Sequence, residues 1–222
     1  MKYGESVFDI LYLLFAIISG CLILYRAKDR TEKTMGWAVL ILGAGDAFHL
    51  VPRVLAYYLP RDFSFFLGAG KLITSITVTI FYVLLYYLWM GRYHKEEVRT
   101  FSLLIRFTAV VRIIICLFPQ NGWIGDKGSI GWAVLRNIPL VLLGICIGYL
   151  YYRERNADRC FRHIWLYILF SFLFYIPVAL GAGILPALGM LMLPKTICYI
   201  LMIRSFLLGM GKREDRKDLD RS

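Results

Sequence analysis

An acid, an imidazole and a guanidinium lie together in one apolar stretch of the chain. They are Asp46, His49 and Arg53, within residues 36–59. A charged side chain at the centre of a bilayer costs about 2.5–3.5 kcal/mol on insertion scales, so three such groups require partners, water or a ligand. At about 100° per residue, His49 lies about 60° and Arg53 about 20° from Asp46 around a helix axis. The three side chains are therefore expected to share one face of a helix.

This face could carry out acid–base chemistry. An imidazole titrates near neutral pH, and a carboxylate one helical turn away can fix its tautomer. We take Asp46 and His49 as the candidate catalytic residues, with Asp46 orienting the ring. A structural ion pair between Asp46 and Arg53, and a purely structural His49, remain as alternatives. His49 is the only histidine expected within the membrane, since His94 and His163 fall at cytoplasmic flanks, and this argues against a multi-histidine zinc site. The sequence therefore predicts no metal and no cofactor.

The elements that must position these groups are membrane-spanning helices. The chain has 222 residues and is 59% hydrophobic, whereas soluble domains contain about 45–50% apolar residues. The apolar residues form seven runs, each near the ~20 residues that a bilayer core requires. The predicted spans are 7–25, 36–59, 65–90, 101–118, 130–151, 163–180 and 187–210. We expect an all-α, polytopic integral membrane protein, with a seven-helix transmembrane domain over residues 1–210 and a basic cytoplasmic tail over 211–222.

The charge pattern predicts the orientation of the bundle. The net charge is +11, and most basic residues lie beside the ends of apolar runs, after the first, third, fifth and seventh spans. Because cytoplasmic loops carry the excess of lysine and arginine, the N-terminus is expected outside and the C-terminus in the cytoplasm of a plasma or inner membrane. The expected partner of this charge is the lipid bilayer. Nucleic acid is not expected, since no basic groove lies on a soluble domain.

Five predicted helices place a basic side chain in the outer half of the bilayer. These residues are Arg53, Lys71, Arg112, Arg136 and Lys195. The only acid assigned to the same region is Asp46, so pairing cannot satisfy the set. The surplus predicts an outward-facing polar cavity for an anion, because arginine binds phosphate and carboxylate groups bidentately. The candidate ligand-binding residues are Arg53, Lys71, Ser75, Arg112, Arg136, Asn137, Lys195 and Tyr199. The alternative for Arg53 and Lys71 is that they extend to the membrane surface.

Three functions remain compatible with these residues. The first is binding, sensing or transport of a small anionic ligand or lipid headgroup. The second is an intramembrane lipid hydrolase, in which Asp46 and His49 act as the acid–base pair and the basic residues hold the headgroup phosphate. The third is a partner subunit without a ligand of its own. Inverted repeats with broken helices would favour transport, and none is clear. Whether the protein is an enzyme, and its oligomeric state, stay open.

Two segments resemble the microbial rhodopsins. The sixth span contains Phe172-Leu-Phe-Tyr175-Ile-Pro177, which is similar to their aromatic–proline pattern, and the seventh contains Lys195. The resemblance implies a seven-helix protein in which Lys195 carries retinal. The chain departs from that family because Leu191 stands where a carboxylate usually precedes the lysine, and the third span has no carboxylate. We therefore keep the rhodopsin-like reading only as a further alternative.

The predicted orientation has a direct test. A reporter enzyme that is active only in the cytoplasm, fused after Ser222, should be active, because the connections after the odd-numbered spans are basic. The same reporter fused after Arg61, in the second connection, should be inactive. Activity at Arg61 and none at Ser222 would invert the proposed orientation.

Overall fold

The computed structural model describes residues 2–96, 99–124, 128–181 and 185–211. The predicted basic tail, apart from Gly211, lies outside these ranges. Within them the chain is helical and contains no strand. The helices are α1 (Lys2–Arg26), α2 (Arg30–Tyr58), α3 (Ser64–Tyr93), α4 (Arg99–Leu117), α5 (Ile130–Arg153), α6 (Ile164–Gly181) and α7 (Met192–Gly209), with 3₁₀ turns at Pro119–Asn121 and Pro186–Leu191. For this part of the chain, the predicted all-α class is confirmed, and so are seven helices long and apolar enough to span a membrane.

Seven helices in the described ranges are long and apolar enough to cross a membrane. Their outer surfaces carry large apolar side chains in contact with the surroundings, as on α4, where Leu103, Phe107 and Ile114 are exposed. Such a surface is unfavourable in water and suits the lipid phase. The fold is therefore that of a multi-pass membrane protein, whereas its orientation stays a prediction.

Helix α1 begins five residues earlier than the apolar pattern predicted, and α2 begins six residues earlier. Helix α1 starts at Lys2, so Glu5 and Asp9 belong to the helix and do not merely flank it. Asp29 starts α2, since its carboxylate accepts a 2.7 Å hydrogen bond from the Glu32 amide. The Glu32 carboxylate in turn accepts from the Lys28 amide at 2.8 Å. This reciprocal capping draws the basic residues after α1 into a helix.

The seven helices form a closed bundle in chain order. Each helix packs on the next, and α7 returns to contact α1; α3 also contacts α5. We call the end of the bundle at which α1 begins the N-terminal end. It carries the connections α2–α3, α4–α5 and α6–α7, and the opposite end is the C-terminal end. All of the predicted outer-half residues belong to the half of their helix near the N-terminal end or to its middle.

At the C-terminal end, one buried arginine joins several parts of the bundle. Arg92, on α3, forms an ion pair with Asp158 at 2.8 Å, donates to the Gly209 carbonyl at 2.7 Å, and lies 4.7 Å from the centre of the Phe161 ring. These contacts join α3 to the α5–α6 connection and to the end of α7. The bundle is thus tied at this end, and the polar interior lies at the other.

Helices α2 and α3 approach at backbone distance. A methyl group added to Gly70 would meet the backbone of Phe48 and His49, and one added to Gly45 would meet the side chain of Thr77. The Thr74 hydroxyl donates to the Gly45 carbonyl at 2.9 Å. Small residues permit such close packing between membrane helices. This close contact between α2 and α3 fixes the rotation of α2, and with it the face that carries Asp46, His49 and Arg53.

We expect Gly70→Ala to destabilise the protein by about 1–3 kcal/mol, because the methyl group must push two backbones apart. The matched control is Gly148→Ala on α5, where the added carbon would lie an ordinary 3.7 Å from Ile168. Thermal unfolding in detergent measures both. The control should unfold at or above the wild-type temperature, since alanine favours a helix over glycine. Equal midpoints for the two variants would contradict the close approach.

Candidate functional site

A cavity of about 550 Å³ lies at the N-terminal end of the bundle. All seven helices contribute to its wall, together with Trp123 from the α4–α5 connection and residues of the Pro186–Leu191 turn. Its charged lining residues are Glu5, Arg53, Lys71, Arg112, Arg136 and Lys195. The rest of the wall consists of His49, hydroxyl-bearing side chains of α3 and α6, tyrosines, Trp123 and apolar side chains. The cavity is large enough for a small organic molecule.

The structure brings most of the predicted site residues together. The large cavity is lined by His49, Arg53, Lys71, Ser75, Arg112, Arg136, Lys195 and Tyr199. Asp46 lines a small neighbouring cavity, which also contacts His49, Arg53 and Lys195. Asn137 is buried behind the wall and accepts a 2.9 Å hydrogen bond from the hydroxyl of Tyr175, a lining residue. The shared face of Asp46, His49 and Arg53 does point to the interior.

Arg53 pairs with an acid that the sequence interpretation left outside the site. Its guanidinium forms an ion pair with Glu5 on α1. Tyr57 links the two, donating to the Glu5 carboxylate at 3.1 Å and accepting from Arg53 Nε at 3.4 Å. The alternative of a structural pair between Asp46 and Arg53 is therefore not what the structure contains. Glu5 could have been found from the sequence if the first helix had been extended to Lys2.

Arg112 is the most deeply buried cation of the wall, with 1% of its surface exposed. Its Nη1 donates to the Ser75 carbonyl and to the Thr79 hydroxyl of α3. Both acceptors are uncharged, and its Nε has no hydrogen-bond partner among the described residues. A buried guanidinium without a counter-charge is costly. Arg112 is thus the residue whose charge most needs a ligand.

Arg136 reaches the cavity from α5 over an aromatic ring. Its guanidinium lies 4.6 Å from the centre of the Trp123 ring and donates to Asn121 Oδ1 at 3.1 Å. Trp123 itself is fixed by a hydrogen bond from its indole to the Cys116 carbonyl at 2.8 Å. The guanidinium of Arg136 is therefore positioned by an aromatic ring and an amide oxygen, both of which are uncharged. Its charge therefore stays available to an anion.

Two lysines complete the basic set in different environments. Lys195, at 7% exposure, lies 4.5 Å from the centre of the Tyr175 ring and 5.3 Å from that of Tyr199. It feels the attraction of Asp46 and the repulsion of Arg112. Lys71 is exposed at the start of α3 and lines the cavity. In the described part of the chain, neither lysine, nor Arg112, nor Arg136, lies within 4 Å of a carboxylate.

The small cavity contains two acids. Its volume is about 40 Å³, and its wall includes Asp9 of α1 and Asp46 of α2. Asp46 accepts a 2.6 Å hydrogen bond from the Tyr12 hydroxyl. The sequence interpretation counted Asp46 as the only acid of this region, which is wrong, since Glu5 and Asp9 lie there too. The sequence does show these two acids one helical turn apart, at positions 5 and 9, and this spacing could have placed both on the inner face of the first helix.

His49 lines both cavities but has no carboxylate to orient it in this structure. Its Nδ1 is buried and has no hydrogen-bond partner among the described residues. Asp46 is engaged by Tyr12 on one side and attracted by Lys195 on the other. The predicted acid–base relay between Asp46 and His49 is therefore not formed, although both groups face the same interior.

The architecture and the site define a class of protein. In the ranges that the structure describes, the chain is all-helical, and seven apolar helices surround a cavity whose charged lining is predominantly basic. The chain matches no protein-family model, no curated protein and no solved structure. The comparisons thus lend no support to the resemblance with microbial rhodopsins, and the function must be argued from the cavity itself.

Position 49 should be accessible to water from the N-terminal end of the bundle. In a chain whose five native cysteines are replaced by alanine, we expect His49→Cys to react with a small charged thiol reagent. The control is Phe48→Cys, since Phe48 is exposed on the outer surface of the bundle. Phe48→Cys should react with a lipid-soluble reagent only. The opposite pattern of labelling would contradict the orientation of α2.

Proposed function

We propose that the protein binds a small anionic ligand, such as a carboxylate, a phosphate or a lipid headgroup, in the large cavity, in order to transport or sense it. The observation that carries the proposal is a set of four basic residues that form no ion pair with any described residue, namely Lys71, Arg112, Arg136 and Lys195. Positive groups that repel one another inside a low-dielectric bundle cost several kcal/mol. Arg112 lies within the electrostatic range of Arg136 and Lys195. An anion bound between them would offset this repulsion.

The composition of the wall supports an organic anion. Guanidinium groups of Arg112 and Arg136 approach from neighbouring helices, and a fork of this kind binds phosphate or carboxylate oxygens bidentately. The wall also has apolar members, which include Val178 and Ala179 of α6 and Met190 and Met192. A ligand with a charged head and an apolar remainder would satisfy both kinds of lining residue. In the predicted orientation, this ligand would enter from outside the cell.

Binding is supported better than hydrolysis. A lipid hydrolase needs a general base positioned within hydrogen-bond reach of a water or hydroxyl nucleophile. The Nδ1 atom of His49 has no hydrogen-bond partner among the described residues. The carboxylate of Asp46, which would have to orient the ring, accepts a hydrogen bond from Tyr12 instead. The basic residues, by contrast, line the cavity in the absence of any rearrangement. The hydrolase and rhodopsin-like alternatives lack a comparable observation.

Neutralising Lys71 is the sharpest test of the anion site. Lys71→Gln should leave the unfolding temperature of the ligand-free protein unchanged or higher, because it removes repulsion and no ion pair in the described residues. It should weaken the binding of sulfate or of a short-chain phosphatidylglycerol about tenfold, the loss of one contact to a charged group. Ligand-induced stabilisation in thermal unfolding measures the affinity. Arg136→Gln should weaken binding in the same way.

The control for this experiment is Arg106→Gln on α4. Arg106 is exposed, lies over the Tyr87 ring and does not line the cavity. A general salt effect would act on this variant as on Lys71→Gln. Stabilisation by phosphatidylglycerol but not by sulfate would assign the site to a lipid headgroup, and stabilisation by both to a free anion. Equal ligand-induced shifts in wild type, Lys71→Gln, Arg136→Gln and Arg106→Gln would overturn the anion site.

A further inference from the structure

The small cavity is a second polar site with different chemistry. It lies between α1, α2, α3 and α7 and adjoins the large cavity, since His49, Arg53, Lys195 and Tyr199 line both. Its volume of about 40 Å³ compares with the ~30 Å³ that one water molecule occupies in the liquid. The cavity can therefore hold one water molecule, and it is too small for the organic anion considered above.

Asp9 is the side chain that marks this cavity as a binding site. It is 4% exposed, lines the cavity, and its Oδ2 has no hydrogen-bond partner among the described residues. An ionised carboxylate in this position would be buried without compensation, which costs several kcal/mol. Asp46 lies close enough to Asp9 for the two carboxylates to repel each other. One positive charge placed between them would remove both penalties.

The charges around Asp9 do not balance, and one additional positive charge would neutralise them. The titratable and charged groups around Asp9 in the cavity or in contact with its wall are Glu5 and Tyr12 of α1, Asp46, His49 and Arg53 of α2, and Lys195 and Tyr199 of α7. Helix α3 contributes the uncharged Thr74. Arg53 is neutralised by Glu5. Among the described residues of this wall, Lys195 is then the one lysine or arginine left to face two carboxylates, and one negative charge remains unbalanced.

We propose that Asp9 and Asp46 bind one proton between them, which makes the small cavity a proton site beside the anion site. A hydronium ion supplied through the large cavity gives up the proton: one of its O–H bonds breaks, one O–H bond forms on a carboxylate oxygen, and a neutral water molecule is left. The described residues contain no group of three histidine, cysteine or acidic side chains that could hold a metal ion. A proton needs only the acid pair.

The proton site is coupled to the anion site through Lys195, and this part of the proposal rests on the proposed function. Lys195 lies in the wall of both cavities. When the acid pair gains a proton, one negative charge near Lys195 disappears, and the positive potential in the large cavity increases. The anion should then bind more tightly. The protein would therefore take up an anion together with a proton, which is the behaviour of a proton-coupled transporter or a pH-dependent sensor.

Infrared spectroscopy of the purified protein without any added anion tests the proton site by itself. Wild type should show the carboxylic acid C=O band, shifted in D₂O, at about pH 5.5, where an ordinary aspartic acid side chain is ionised. Asp9→Asn should lose this band. The control is Asp62→Asn, because Asp62 is exposed in the α2–α3 connection and hydrogen bonds from Ser64 lower the pKa of its carboxyl group. Absence of the band in wild type would overturn the proposal even if Asp9→Asn failed to fold.

Sulfate binding tests the coupling, since the charge of sulfate is constant between about pH 5 and pH 8. Wild type should bind sulfate about tenfold more tightly at the lower pH. Asp9→Asn should bind tightly at both values, because asparagine imitates the protonated acid. A wild-type affinity that does not change with pH would overturn the coupling. Failure of wild type to bind sulfate or phosphatidylglycerol at any pH would overturn the proposed function and leave the infrared result standing.

A comparison of Na⁺ with K⁺ distinguishes a proton site from a sodium site in the small cavity. If Na⁺ occupied the small cavity in place of a proton, Na⁺ would raise the unfolding temperature of wild type but not of Asp9→Asn, and K⁺ would have less effect. Such a result, without the carboxylic acid band, would contradict a proton site. We expect Na⁺ and K⁺ to act equally on both proteins.

Discussion

The burial of Arg112 against uncharged acceptors is the constraint on which the polar interior depends. Its guanidinium is 1% exposed, and its described hydrogen bonds go to a carbonyl and a hydroxyl of α3. A bundle that only had to be stable would place an acid there or an apolar residue, since a buried charge without a counter-charge is unfavourable. The neighbouring Arg136 and Lys195 increase the cost. The arrangement is therefore understandable as a site kept ready for a negative charge.

The two ends of the bundle show how such a site is supported. At the C-terminal end, Arg92 has an acid, a carbonyl and an aromatic ring around it, so its charge is fully used in joining helices. At the N-terminal end, the basic residues are held mainly by aromatic rings and uncharged oxygens. Arg136 over Trp123 and Lys195 beside Tyr175 and Tyr199 are positioned without being neutralised. An acid thus neutralises the buried arginine at one end, whereas at the other end Arg112, Arg136 and Lys195 form no ion pair among the described residues.

The number of helices and the clustering of basic residues were predictable, because apolar run length and the spacing of charges are properties of sequence. The acids on α1 were not found. Hydropathy placed the start of that helix at residue 7, and polar residues at a helix end resemble a flank. Pairing across helices, such as Arg53 with Glu5 or Asp46 with Tyr12, depends on rotation of each helix about its axis. Rotation is set by packing at positions such as Gly70 and Gly45, which no single-helix pattern reveals.

The order of these contacts along the chain has a consequence for biosynthesis. Each of these cations contacts a residue that precedes it in the chain. Arg53 pairs with Glu5, Arg112 donates to Ser75 and Thr79, and Arg136 donates to Asn121. Lys195 finds Asp46 and the Tyr175 ring, both already synthesised. Chains fold from the N-terminus while they are being made. Each of these cations is therefore synthesised after the groups named here as its partners, so the partners precede it into the bilayer.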